Sequence, residues 1–172
     1  MTTIPRAYVD NFTRVINGIS DDAQKKLAKA LEGVVIDDIA AARNEIIAIM
    51  DTLLAPYTDN VAAVAATFYD GLRAYFGIDD GFMAESESMR EPAATAGAVR
   101  AFMQTQVDGM PFGALENLLI ERVDYECKRA ANECIAYNAK NDPKRPKWAR
   151  VPTGAETCMW CIMLASRGFA YL

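Results

Sequence analysis

The 172-residue sequence contains no histidine. That excludes any catalytic triad, general base or metal site needing an imidazole from this chain. Glycine-rich phosphate loops of the GxGxxG or GxxxxGK[ST] form are also missing, and Ser166 in "ASRG" lacks the GxSxG elbow of a hydrolase nucleophile. No apolar run approaches the roughly 18 residues of a membrane span. The opening "MTTIPRAYVDNF" has no basic segment leading into an apolar one, so it is not a secretory signal, and a cytosolic origin follows. No stretch alternates with period two for long enough to make a strand, and there is neither an internal repeat nor a low-complexity tract. Basic residues are outnumbered, 18 against 23 acidic ones, for a net charge of -5. A dedicated nucleic-acid binder normally carries the opposite balance.

Helical periodicity is abundant. Val9, Phe12, Ile16 and Ile19 recur at spacings of three and four behind Pro5. Ser20 then reads as the N-cap of a second helix with Asp21 and Asp22 in its first turn and Leu27, Leu31 and Val34 on its apolar face. A third segment, 35–55, presents Ile36, Ile39, Ile46, Met50 and Leu53, and Pro56 is expected to end it. Thr58 or Asp59 would cap the next, whose stripe is Val61, Val64, Ala65, Phe68, Leu72, Tyr75 and Phe76, with Gly77 as its C-cap. The pattern lapses over 77–92, which reads as a surface loop or hinge. A helix at 93–107, a turn at "DGMPFG" and a long helix at 112–139 follow. On the last of these, Leu115, Leu119, Val123, Cys127, Ala130, Cys134 and Tyr137 share a face. The fold class expected is therefore all-α. It comprises a helical body of at least four helices (1–140) and a proline-rich loop leading into a small C-terminal module (141–172), with a short helix at 155–167.

Four cysteines in a cytosolic chain of this size do not suggest a disulfide framework. Cys127 and Cys134 lie two helical turns apart, too far to bridge, and read as small apolar core residues. Cys158 and Cys161 form a CxxC. That spacing suits half of a tetrahedral zinc site, a dithiol redox pair, or two ordinary buried cysteines. A redox pair usually follows a strand, and none is apparent. Zinc needs two further ligands, and the only other soft donors are the two core cysteines. Lys140, Lys144, Arg145, Lys147 and Arg150 form a basic patch interrupted by Asp142 and containing Trp148. It reads either as a nucleic-acid grip or as a solvated loop, and the acidic balance favours the loop. The acidic pairs Asp37/Asp38, Asp79/Asp80 and Glu85/Glu87 read as solvated faces rather than catalytic dyads.

The block "RVPTGAETCMWCIMLASRGFAY", Arg150 to Tyr171, resembles the Mu F-like minor head proteins of tailed phages, also called phage head morphogenesis proteins, in their actinophage form. The resemblance covers about an eighth of the chain, with RVPTG, TCxWC and LASRG in order. It implies that the chain is the N-terminal portion of a longer protein, since in that family a histidine and a Cys-x-Cys pair follow. Cys158 and Cys161 would then be two ligands of a zinc knuckle completed only in the longer form, with no cofactor held by this chain alone. It also implies a structural role at the portal or inner capsid, in several copies, inside the virion after assembly in the host cytoplasm, with ejection alongside DNA in some cases. No catalytic residue is expected in this chain. Two rival expectations stand beside it. One is that the chain precedes an enzyme or toxin domain, such as an ADP-ribosyltransferase or nuclease, beyond Leu172. The other is that the helical body binds DNA through the basic loop.

Overall fold

The computed structural model describes residues 4–146, and helices account for most of them with no strand among them. Helix α1 spans Arg6–Leu31, α2 Ile39–Tyr75, α3 Pro92–Phe102, α4 Gln104–Val107 and α5 Phe112–Asn141. The all-α expectation for the body holds. The helix expected at 155–167 lies outside the described residues.

Several expected boundaries are overridden by packing. Ser20 does not cap a second helix. It sits inside α1, fully buried, and its hydroxyl donates to Asp124 on α5 at 2.8 Å while accepting from Gln24 one turn on. A polar side chain with a partner on a neighbouring helix has no reason to terminate its own. The apolar face of α1 runs unbroken through Ile16, Ala23, Leu27 and Leu31.

Pro56 does not end its helix either; α2 continues through it for 37 residues, about 56 Å. The proline lacks the N–H that would bond the carbonyl of Thr52, but both residues face solvent, where water can take that acceptor. On the opposite side Ala42, Ile46, Met50, Leu54, Thr58, Val61 and Ala62 are buried in one continuous stripe. Thr58 turns its hydroxyl to the carbonyls of Leu54 and Ala55, at 2.8 and 3.2 Å. Burial of that stripe outweighs one lost hydrogen bond. Replacing Pro56 by alanine should therefore stabilise the protein by about 1–2 kcal/mol. Proline costs roughly 3 kcal/mol against alanine inside a helix, and part of that is offset by the stiffer unfolded chain. A urea midpoint unchanged or lowered in Pro56→Ala would contradict this account.

The N-terminus of α2 lies at Ile39 rather than at 35, because Asp38 accepts from the backbone N–H groups of Ala40 and Ala41 and leaves Val35 exposed. Its other end obeys the sequence: Phe76 is the C-cap and Gly77 follows at φ 69°, a conformation glycine adopts without strain. The predicted stripe there is rotated. Tyr69 and Arg73 turn into the bundle, while Tyr75 and Phe76 are exposed and Phe68 stacks on Phe12 of α1. The helix expected at 93–107 breaks at buried Met103 into α3 and α4.

The three long helices form the bundle. Helix α1 runs antiparallel to α2, with Tyr57 hydrogen-bonded to Asp22 and Tyr8 lying over Gly71, whose missing side chain leaves room for the phenol. Helices α2 and α5 run parallel, since Ala62 meets Cys134 and Arg73 meets Asp142 farther along both. A parallel pair needs a long return connection, and residues 76–111 supply it. Residues 76–91 are the surface loop that the lapse in pattern implied, with none of them buried. They form an extended strap tied to α2 and α5, after which α3 continues in the same direction, so strap and α3 together fill the place of a fourth helix.

Candidate functional site

The polar chemistry of the described residues concentrates in two buried clusters. The first lies where α2, α5 and the strap end together. Arg73, in the last turn of α2, pairs through one terminal nitrogen with Asp142 and through the other with Asp80. Asp142 follows α5 immediately and its side chain is fully buried. It also accepts from the Tyr69 hydroxyl at 2.9 Å and from the Lys144 backbone N–H at 2.8 Å, while its carbonyl accepts from the Arg145 N–H. The Phe82 ring covers the guanidinium at 4.8 Å and meets Tyr69 edge-on. Burial alone would raise the Asp142 pKa, but the bonds from Arg73, Lys144 and Tyr69 outweigh it and hold the carboxyl below its usual range. For Asp80 the Phe82 backbone N–H leads, assisted by Arg73, in the same direction. Burial and the neighbouring Asp142 push the Tyr69 hydroxyl far up, so it stays protonated as a donor.

The second cluster surrounds Glu126 on α5. Its carboxylate accepts from the Thr95 hydroxyl at 2.9 Å, pairs with Arg122 and lies 3.4 Å from Arg129. Arg129 reaches on to Glu91 and donates to the Met89 carbonyl, so one buried acid ties α3, α5 and the strap together. Both clusters hold elements in place, and neither opens into a deep cavity among the described residues. The shallow clefts there lie between α2 and α3, beside Asn44 and Thr95, and between α1 and α2, beside Phe12 and Phe68.

The residues singled out in the sequence distribute unevenly. Lys140, Lys144 and Arg145 are exposed around the end of α5, and none forms an ion pair among the described residues. Lys147 and Arg150 lie outside the described residues, as do Trp148, Cys158 and Cys161. Among the described residues no group of three or more histidine, cysteine, aspartate or glutamate side chains could hold a metal ion. Cys127 and Cys134 are buried and free, as their spacing implied. Burial raises the Cys127 thiol to about 11, and burial raises Cys134 as well. Both should resist a disulfide reagent at pH 8 in the folded protein and react at once in denaturant; rapid modification of either without denaturant would refute this.

Some organising residues escaped the sequence reading. Asp142 looked like an interruption of the basic patch, and Asp80 and Asp38 like solvated acids. The legible signal was position: Asp142 precedes a proline at a helix end, and Asp38 precedes an apolar run.

These features define a helical bundle whose ionic groups serve architecture. None of its described helices is long and apolar enough to cross a membrane. The chain belongs to the VG15 protein family, whose pattern it matches over residues 3–172. It is similar to the gene 15 protein of Mycobacterium phage D29, at 47% identity over 66 residues, which is 36% of this chain and 23% of that protein. The gene 15 protein of Mycobacterium phage L5 is 46% identical over 68 residues, 37% of this chain and 22% of the relative. The alignment thus spans less than a quarter of the length of these curated relatives. No solved structure matches. The protein is a phage protein of all-α fold.

Proposed function

We propose that the chain is the helical part of a phage minor head protein, acting through contacts with the portal or the inner capsid and not through catalysis. The observation that carries this reading is membership of a phage family over residues 3–172, to which the Arg150–Tyr171 resemblance adds the head. A bundle whose few buried charged groups tie its helices and strap together supports a scaffold role. In this reading several copies sit inside the virion after assembly in the host cytoplasm, and ejection with DNA is compatible with the location. Cys158 and Cys161 supply two zinc ligands, and a longer form supplies the rest. The test is mass spectrometry of purified heads with affinity capture of the portal. Presence in heads and recovery of the portal are the expected results. Absence from purified heads would overturn the proposal. Zinc per chain, measured in this chain and in a longer form, should rise to one in the longer form only. Near-zero zinc in both would remove the metal reading alone.

A second reading has one observation in its favour: relatives of which less than a quarter is aligned have room for further domains. An enzyme or toxin domain following this bundle would then carry the activity. Binding of DNA by Lys140, Lys144, Arg145, Lys147 and Arg150 is the weakest reading, given the net charge of -5. It requires a salt-dependent mobility shift.

A further inference from the structure

Arg73 joins the head of the strap to the point where the chain leaves α5. One of its nitrogens holds Asp80, and another holds Asp142. The guanidinium is a rigid planar fork, so its orientation toward one carboxylate fixes what it offers the other. The cluster is closed to water on the Asp142 side, with Arg73 7% exposed and Asp142 not at all, and opens at Asp80, whose side chain is 24% exposed. Phe82, a strap residue, is the platform on its face.

Beyond this end the strap is held chiefly by polar side chains. Asp70 accepts from the Ala84 N–H, Asn138 accepts from the Glu85 N–H and donates to its carbonyl, Tyr137 donates to the Glu85 carboxylate, Arg129 donates to the Met89 carbonyl and pairs with Glu91, and Arg90 pairs with Asp51. The strap's methionines contribute little burial, Met83 being 78% exposed and Met89 45%. Elements with few buried apolar contacts open first.

We propose that Arg73 is a two-sided clamp that couples release of the strap near Asp80 to release of the chain exit at Asp142. If Asp142 is drawn away, the buried guanidinium loses its best-shielded counter-charge. It must then turn toward water, which lies on the Asp80 side, and that movement takes it off the Phe82 ring and out of the fork geometry in which it holds Asp80. The strap then rests on its remaining side-chain ties.

Hydrogen exchange on the full chain tests this. In Asp142→Asn the amides of Ala84 and Glu85 should exchange about tenfold faster, while those of α1 and α3 keep their protection, a change of the size usual for coupled sites. The reverse arm is Asp80→Asn, which should speed exchange at the Lys144 and Arg145 amides although neither touches residue 80 by a hydrogen bond. Arg73→Lys keeps a charge but not the fork and should reproduce both effects. Faster exchange confined to 143–146 in Asp142→Asn would overturn the proposal. Uniform acceleration through α1 and α3 would overturn it too, because the cluster would then support the whole bundle rather than couple two segments.

Discussion

Replacing Glu126 by alanine is expected to lower the unfolding free energy by about 3–5 kcal/mol, the usual penalty for removing one partner of a buried ionic group. Glu126 is 2% exposed, and its carboxylate serves Thr95, Arg122 and Arg129 at once. Alanine leaves two guanidinium groups facing one another without the acid between them, and orphans the Thr95 hydroxyl. Glu126→Gln retains the acceptor for Thr95 but not the charge and should lose less. Thr95→Ala, which deletes a single neutral-to-charged bond, should cost about 1.5–3 kcal/mol. Urea denaturation of the three variants measures the order. Glu126→Ala losing less than Thr95→Ala would mean that the arginines find water in the native state and that the cluster is peripheral.

The second large effect is expected at Leu119. It is fully buried on α5 and belongs to the core formed with Leu27, Ile46 and Met50. Leu119→Ala removes three buried carbon atoms and leaves a void that neighbouring helices fill only in part, at about 2–5 kcal/mol. Met83→Ala in the strap deletes a side chain of similar size that is largely in water, and should change stability by less than about 0.5 kcal/mol. Equal losses at the two positions would show that the strap is part of the core.

The stripe carrying Leu119 was readable directly from spacing. Leu115, Leu119, Val123, Cys127, Ala130 and Cys134 are all buried, because a long helix has one apolar face to offer, while Tyr137 at the end of the expected stripe is half-buried and Asn138 takes the interior place. Positions decided by a distant partner were not readable. Ser20 and Asp124 are 104 residues apart, so nothing local distinguishes a buried bridging serine from a helix cap. Pro56 misled for the same reason, since its cost is local and the stripe that outweighs it is tertiary. The rotation of α2 that buries Tyr69 and Arg73 in place of Tyr75 and Phe76 depends on Asp142, which lies outside the helix altogether. The candidate site was legible only as a run of cations; the anion organising it was visible as a residue but not as a hub.

The parallel course of α2 and α5 has an electrostatic consequence. Peptide dipoles align along each helix, leaving roughly half a negative charge at each C-terminus. Two such termini end side by side, at Tyr75 and Asn141, and the negative partial charges add instead of cancelling as they would in an antiparallel pair. Asp80 and Asp142 lie at the same end. Arg73, Lys140, Lys144 and Arg145 therefore face a standing negative field generated by the fold itself. Much of their positive potential is consumed there before any phosphate approaches. Among the described residues, Lys140, Lys144 and Arg145 are exposed beside two helix ends whose partial negative charges offset part of their positive potential.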